Sequence, residues 1–264
     1  MQIKTVINYL LNKYPLENKE EWDPSGWSLK FNLSDEITGI VFAIDLTKQV
    51  LERALETYSN LIITHHPFKF QETWEEEFIQ APYKKEILEQ LKANRINVIS
   101  FHTNYDNHKE GTSYQIVKKL GLAKSAVHFD WSNYPVGFSW NKTYGDLLVK
   151  LAITFGFRSM RNNLSSFFRQ FNYSEKVAVL AGSGFVGDVN RLYSEGYKLI
   201  ITSDVKWNEW LNYNEINVAV LEIPHLVEEV FAEDVFNQIK EKFPDVPIFI
   251  VKMKIQEIYE NISF

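Results

Sequence analysis

Short apolar runs alternate with amphipathic helical segments along much of the chain. The clearest run is Leu61–Thr64, which ends at a His-His-Pro sequence. Four apolar or β-branched residues in a row suit a strand that is buried on both faces. Pro67 cannot donate a hydrogen bond to a sheet, so the strand is expected to stop before it. His65 and His66 are therefore predicted to lie where a buried strand ends in a loop.

Hydrophobic periodicity also predicts the other elements. An amphipathic helix that carries Ile3, Val6 and Leu10 is expected to end before Pro15. Further helices are predicted at 48–58, 82–93, 114–122, 143–155, 188–196, 205–211 and 225–242. Strands are predicted at 39–44, 61–64, 96–101, 197–202, 216–223 and 246–251, with another that runs from residue 176 into a glycine-containing turn at 181–187. Residues 164–171 fit either a helix or a strand.

The order of these elements predicts an α/β fold with mostly parallel sheets and crossover helices. A strand, a turn and a helix lead to Leu-Ile-Ile-Thr at 61–64, and the same order leads to the same four residues at 199–202. We interpret this echo as an internal duplication, which predicts two similar α/β units at 1–125 and 126–264. The alternative is that buried parallel strands simply share a composition.

Composition narrows the class of protein. The 264 residues carry a formal net charge of -6, whereas dedicated nucleic-acid-binding proteins are usually basic. The lack of cysteine excludes disulfides, thiolate-bound zinc and a cysteine nucleophile. No run approaches the ~20 apolar residues that span a bilayer, and the N-terminal segment does not follow the pattern of a signal peptide. We therefore expect a cytoplasmic protein with no membrane or nucleic-acid partner.

Histidines concentrate at the ends of predicted strands. His65, His66 and His102 all follow strands, and ligands of open α/β sheets bind at the carboxyl ends of the strands. Imidazole and carboxylate ligands without thiolate suit zinc, iron or manganese. Adjacent histidines on a strand point to opposite sides. Each can therefore serve a different ion of a pair about 3.5–4 Å apart, bridged by a carboxylate such as Asp106.

The helix predicted at 225–242 offers a second pair of ligands. His225 and Glu229 are four residues apart and share a helix face, so both can reach one ion or each can reach one of two ions. Glu228 competes with Glu229, although its spacing of three residues from His225 makes it the less favoured of the two.

Ordinary structural roles are open to several of these residues. His65 can cap a helix or hydrogen-bond within the core. His102 can contact a metal or its bound water, or it can donate to a backbone carbonyl. Asp45 can be an ordinary helix N-cap, and His108 and His128 are expected to be solvated. The glycine-containing turn matches no nucleotide-binding pattern in full, so we expect it to be structural rather than a phosphate site.

Seven short motifs in this order resemble one known family. They are Trp22-Asp23 with Gly26, Ala43 to Asp45 with Thr47, LIITHHP at 61–67, His102 to Asn104 with Asp106, AGSG at 181–184, Thr202 with Asp204 and Lys206, and Pro224-His225 with Glu229. The arrangement covers nearly the whole chain and resembles the NGG-interacting-factor-three-like family, in its short form without an inserted middle domain. Members of this family are often called GTP cyclohydrolase 1 type 2 homologs.

The resemblance implies a dinuclear metal centre between the two α/β units, with two divalent ions of zinc, iron or manganese. The implied metal ligands are His65, His66, Asp106, His225 and Glu229. His102 would be the catalytic group that moves a proton if it reaches the metal-bound water. The resemblance also implies a toroidal homohexamer.

Two classes of function follow as hypotheses. The first is a metal-dependent hydrolase that acts on a nucleotide or another phosphate-containing small molecule, resembling a GTP cyclohydrolase. The second is a non-enzymatic metal-binding oligomeric scaffold or regulatory partner protein. A coordination position left open for water or substrate distinguishes the first class from the second.

Overall fold

The computed structural model describes residues 1–164 and 175–254 and divides the protein into two compact α/β units. The first unit comprises Met1–Asn107 with the described part of Glu229–Glu257, and the second comprises His108–Glu228. The predicted α/β class with two units is confirmed. The predicted bounds of the two units, 1–125 and 126–264, stay a prediction. Residues 165–171, for which a helix and a strand were both open, lie outside the described part.

The sheet of the first unit is parallel except at one edge. Its described strands, in spatial order, are β1 (Gly26–Leu29), β4 (Asn97–Ser100), β3 (Leu61–Thr64), β2 (Ile40–Ala43) and β11 (Ile248–Ile250). Only β1 pairs antiparallel, with β4. Sequence patterning missed β1, because the strand begins at the glycine of a Pro-Ser-Gly turn and its four residues resemble a loop. The predicted strands β2, β3 and β4 are buried along their whole length, as their apolar composition requires.

Helices cover both faces of this sheet. The helices of the first unit are α1 (Ile3–Lys13), α2 (Lys48–Glu56), α3 (Trp74–Gln80), α4 (Lys84–Ala93), α5 (Thr103–Asp106) and α10 (Val230–Lys242). Alternate residues of each strand face opposite sides. Phe42 and Ile63 therefore join a core with α1 and α10, while Val41 and Ile62 join a core with α2 and α4. Both cores are made of fully buried apolar side chains.

The sheet of the second unit is mixed. Its described strands, in spatial order, are β5 (Val127–Phe129), β6 (Ser132–Trp140), β8 (Glu175–Ser183), β9 (Leu199–Ser203), β10 (Val220–Glu222) and β7 (Arg161–Asn162). Its helices are α6 (Thr112–Lys119), α7 (Tyr144–Phe155), α8 (Val186–Ser194) and α9 (Trp207–Glu215). The predicted strand–helix alternation is present as the parallel strands β8, β9 and β10. The hairpin β5–β6 adds antiparallel strands. Among the described helices, none has the length and apolar character that crossing a bilayer requires.

The C-terminal helix differs from its prediction in its first turn. His225–Glu229 forms a 3₁₀ helix, and the α-helix α10 begins only at Val230. The tighter turn starts at Pro224, whose carbonyl oxygen accepts a hydrogen bond from the Val227 N–H at 3.0 Å. A 3₁₀ helix places residues three apart on one face, which changes the partner of His225, as described below.

A buried ion pair holds the loop that follows the double histidine. Glu77 lies on α3, a helix that was not predicted, although the capping box of Thr73 marks its start. The Glu77 carboxylate accepts hydrogen bonds from the backbone N–H groups of Phe70 at 2.7 Å and Gln71 at 2.9 Å, and from Lys84 Nζ at 2.5 Å. Both charged side chains are buried. The pair therefore fixes the loop backbone at Phe70.

Lys84→Met is expected to destabilise the protein by about 3–5 kcal/mol, because it leaves the Glu77 carboxylate buried without its cation. Chemical denaturation followed by circular dichroism measures the change. Adding Glu77→Gln should recover most of the loss, since the amide oxygen still accepts from backbone N–H groups. The matched control is Lys48→Met, which breaks an exposed pair with Glu86 and should leave the midpoint unchanged. A wild-type midpoint for Lys84→Met would contradict the assigned role.

Candidate metal centre

Three neighbouring strands of the first unit end in register at one edge of its sheet. The residues paired across β2, β3 and β4 at this edge are Ala43, Thr64 and Ser100. Asp45, His66 and His102 each follow the paired residue of their strand by two positions. Backbone hydrogen bonds continue the pairing just beyond the strand ends. Main-chain geometry thus brings these three side chains to the same place.

The imidazole rings of His65, His66 and His102 form a compact group. Their ring centroids are 4.9, 5.2 and 5.3 Å apart, and one ring nitrogen of each lies within 4.8 Å of the others. His65 is fully buried, and the other two rings are half-buried. The expectation that His65 and His66 point to opposite sides is wrong, because β3 ends at Thr64 and strand alternation no longer applies.

An oxygen acceptor fixes the Nδ1 atom of each ring in this group. The three hydrogen bonds run from His65 to the Phe101 carbonyl oxygen at 2.9 Å, from His66 to Asp45 Oδ1 at 2.9 Å, and from His102 to Asp23 Oδ1 at 3.2 Å. Carbonyl and carboxylate oxygens can only accept, so Nδ1 carries the proton and the neutral ring presents its lone pair at Nε2. Metal-binding histidines are commonly oriented in this way, so the group could hold a metal ion.

Asp23, the partner of His102, is itself buried and heavily hydrogen-bonded. It accepts from the N–H of Ser25 at 3.0 Å and from its hydroxyl at 2.6 Å, and both the N–H and the hydroxyl of Thr103 also donate to it. Burial by itself raises the pKa of Asp23. Hydrogen bonds from His102, Ser25 and Thr103 outweigh that effect and hold the pKa well below its ordinary value. The side chain is therefore a carboxylate at neutral pH.

Asp106 adds a carboxylate to the three imidazoles. His102 is the N-cap of α5, and Asp106 lies one turn later, with its N–H donating to the His102 carbonyl oxygen at 3.0 Å. Asp106 Oδ1 is 3.6 Å from His65 Nε2. The first unit thus brings together four of the predicted site residues. Their imidazole and carboxylate donors are those that zinc, iron and manganese accept.

His65 connects this group to the C-terminal helix α10. Its ring packs against Phe231, with centroids 4.9 Å apart, and lies 6.1 Å from the Tyr105 ring. The Tyr105 hydroxyl donates to Asp234 Oδ2 at 2.9 Å. Burial, followed by the charge of Asp234, raises the pKa of Tyr105 well above its ordinary value, so the hydroxyl stays a donor. Phe231 and Asp234 therefore tie α10 to the histidine group.

In the second unit, His225 lies between two carboxylates. Its Nδ1 is 2.5 Å from Asp204 Oδ2, and its Nε2 is 2.8 Å from Glu228 Oε2. Burial opposes a charged ring. The carboxylates of Glu228 and Asp204 overcome that penalty and raise the pKa of His225 to about 11. His225 is consequently held as a cation by two acidic side chains.

The expectation that His225 shares a helix face with Glu229 is wrong. The segment is a 3₁₀ helix, in which residues three apart eclipse each other. Glu228, the residue thought less favourable, is accordingly the one that contacts His225. Glu229 Oε1 instead accepts a hydrogen bond from the Met253 N–H at 2.7 Å. The assignments of Glu229 and His225 as metal ligands stay predictions.

Sequence reasoning missed the roles of Asp23 and Asp45. The N-cap role considered for Asp45 belongs to Thr47, whose hydroxyl accepts from the first turn of α2. An aspartate just beyond a buried parallel strand was the available signal for Asp45, which lies two positions after β2, and Asp204 lies one position after β9. Asp23 had no such local signal, because its partner His102 is 79 residues away in sequence.

The remaining sequence candidates have structural contacts. The glycine-containing turn is held by Thr202, whose hydroxyl accepts from the Gly184 N–H at 3.1 Å and donates to the Gly182 carbonyl oxygen at 3.0 Å. These contacts favour the structural interpretation of the turn. His128 is exposed and stacks on Tyr114, as a solvated residue can. His108 is only half-buried.

Fold and site together define a two-unit α/β protein with a histidine and carboxylate group suited to a metal ion. The chain belongs to the Duf34/NIF3 (NGG1p interacting factor 3) family, whose model matches residues 1–257. This confirms the resemblance that the sequence motifs indicated.

Named relatives and solved structures are similar to this chain. A GTP cyclohydrolase 1 type 2 homolog of Mycoplasmopsis pulmonis is 37% identical over 236 residues, 89% of this chain and 91% of the relative. A GTP cyclohydrolase 1 type 2 homolog of Ureaplasma parvum is 28% identical over 251 residues, which are 90% of this chain and 90% of the relative. The fold matches the crystal structure of Staphylococcus aureus hypothetical protein SA1388, with a TM-score of 0.86, 21% identity and 99% of both chains covered. It also matches reduced HcgD from Methanocaldococcus jannaschii, with a TM-score of 0.78, 22% identity, and 96% and 98% coverage of the respective chains.

Gly182→Ala is expected to destabilise the protein by about 1 kcal/mol or more beyond Gly196→Ala. Both glycines have a positive φ, +66° and +88°, so both substitutions strain the backbone. A Cβ at Gly182 would lie 2.6 Å from Glu228 Oε1, whereas one at Gly196 meets nothing within 4 Å. Urea denaturation of the two variants isolates the contact with Glu228. Equal losses would show that Glu228 is not held against the turn.

Proposed function

We propose that the protein binds two divalent ions of zinc, iron or manganese and is a metal-dependent hydrolase. One observation carries this proposal: three imidazoles have Nδ1 fixed by an oxygen acceptor and a ring nitrogen within 4.8 Å of the others. In the first unit, His65, His66 and Asp106 would be ligands. The further ligands His225 and Glu229 are proposed from the sequence motifs, and His225 would release its proton on binding a metal ion. The bound ions would supply an activated water and a Lewis acid for the substrate.

His102 is proposed as the catalytic group that holds and moves a proton. Its Nδ1 donates to the buried carboxylate of Asp23, which orients the ring and leaves the lone pair of the neutral form at Nε2. The lone pair at Nε2 can then accept a proton from a water and return it to a leaving group. The same orientation suits a metal ligand, so metal content distinguishes the roles. A His102→Asn variant that keeps its metal but loses turnover fits the proton-transfer role.

A nucleotide is the proposed substrate, and cyclohydrolase chemistry at a purine ring is the proposed reaction. The support is the name of the relatives, GTP cyclohydrolase 1 type 2 homolog, at 37% identity over most of the chain. Such a reaction needs a water to attack a ring carbon, and a metal-bound hydroxide is a suitable nucleophile. The toroidal homohexamer is likewise proposed on the sequence resemblance.

Elemental analysis of protein purified without added metal tests the proposal. We expect transition metal in the wild type and loss of it in His65→Ala, together with loss of formate release from GTP. Asp106→Asn removes a proposed ligand that is less buried than His65. Loss of metal from this variant as well would show that the loss in His65→Ala does not come from misfolding alone. His128→Ala, which removes an exposed imidazole, is the control and should keep both metal and turnover. Metal-free wild type overturns the proposal. Metal-bound protein without turnover supports a metal-binding scaffold instead.

Asp45→Ala is expected to weaken metal binding about tenfold to a hundredfold, because it releases the Nδ1 proton of His66 from its acceptor. Competition with a chromogenic chelator measures the affinity. Asp35→Ala, which removes an exposed carboxylate from the same unit, is the control and should bind metal as the wild type does. Unchanged affinity in Asp45→Ala would show that His66 is not a ligand.

A further inference from the structure

We propose that Trp22 and Phe70 form a binding platform for a planar heteroaromatic ring beside His102. The inference rests on the proposed metal-dependent function and identifies the chemical class of the substrate group that the site takes. Neither residue contributes a metal ligand or a proton-transferring group. Their contribution would be the position of the substrate ring relative to the histidine group.

Both rings are exposed at the place where His102 opens to solvent. Trp22 is 66% exposed and Phe70 is 43% exposed. The Trp22 ring centroid is 5.8 Å from that of His102 with an interplanar angle of 77°, and the Phe70 centroid is 6.4 Å away with an angle of 84°. Large aromatic side chains usually gain from burial. Two exposed aromatic rings that both contact a histidine with a hydrogen-bonded Nδ1 are typical of a ligand-binding surface.

The loop that carries Phe70 is rigid although its ring is exposed. Glu77 accepts a hydrogen bond from the Phe70 N–H at 2.7 Å, and its buried partner Lys84 has Nζ 5.8 Å from the Phe70 ring centroid. Burying an ion pair has a desolvation cost. Here the pair holds a hydrophobic ring at the surface. A ring fixed in advance loses little conformational entropy when a ligand stacks on it.

The backbone that carries Trp22 is also fixed on both sides. The Glu20 N–H donates to the Thr103 hydroxyl at 2.9 Å, and the Asp23 N–H donates to the Glu20 carbonyl oxygen at 3.1 Å. The Asp23 side chain is bound to Thr103 and His102. Trp22 is thus attached to the same short segment that positions His102, so the distance between the two rings is built into the fold.

A flat, π-rich ring matches these contacts. Aromatic side chains bind the faces of bases and similar heterocycles by stacking, with little dependence on which ring is present. A ring held there lies beside His102, whose Nε2 can face a ring nitrogen or a water next to it. A flexible acyclic acid has no flat π face with which to make such a contact. The platform therefore selects a planar heterocycle as the reacting group.

Calorimetric titration of metal-loaded protein with guanosine, which carries a purine ring and no phosphate, tests the proposal. We expect Trp22→Ala and Phe70→Ala each to bind guanosine about tenfold more weakly than the wild type. The matched control is Tyr58→Ala. Tyr58 is 84% exposed and precedes β3, at the opposite edge of the sheet from His65, so its removal should change nothing. Ribose is the matched ligand without the heteroaromatic ring and should not distinguish the variants.

Metal content, measured on every sample, separates this inference from the proposed function. All the variants should keep the wild-type metal content, since neither aromatic residue is a proposed metal ligand. Loss of metal from the wild type itself counts against the proposed function. Metal-loaded wild type that does not bind guanosine, or that binds it no better than Trp22→Ala and Phe70→Ala, overturns the platform.

Discussion

Main-chain pairing across β2, β3 and β4 is the constraint on which the histidine group depends. The register places Asp45 beside His66, and His66 beside His102, at equal distances beyond the paired strand ends. A slip of one residue in any strand would turn its apolar residues to the wrong helical layer. The residues that build the two cores therefore also fix the positions of the site residues. The same strand register thus determines both the packing of the cores and the arrangement of the site residues.

The fully buried ring of His65 extends this constraint to the end of the chain. Phe231 and Tyr105 surround the ring, and the hydrogen bond between Tyr105 and Asp234 fastens α10 beside it. In such a poorly solvated environment, hydrogen bonds and charge interactions are stronger than in water. The Nδ1 bond of His65 to a backbone carbonyl is consequently a firm constraint on the direction of Nε2.

Local sequence patterns were enough to predict the strands that carry the site. The features that these patterns missed depend on three-dimensional geometry that no local pattern contains. The run at Leu61–Thr64 has one reasonable structure, a buried strand, so His65 and His66 could be placed at its end. The role of Asp23 could not be predicted, because it depends on packing against a residue 79 positions away. The 3₁₀ turn at His225–Glu229 has no distinctive composition, so an α-helical spacing was assumed, and Glu229 rather than Glu228 was expected to share a face with His225.

The histidine group is surrounded by negatively charged carboxylates. This explains why the uncharged side chains of Trp22 and Phe70 suit the exposed border of the site. Asp23 is ionised, and Asp106 adds a further carboxylate near the neutral rings. Such a site attracts cations and repels the phosphates of a nucleotide until bound cations offset the negative charge. An aromatic ring is attracted by Trp22 and Phe70 without that electrostatic penalty. A substrate that carries both a ring and phosphates would accordingly be oriented with its ring toward His102 and its phosphates toward the metal ions or the solvent.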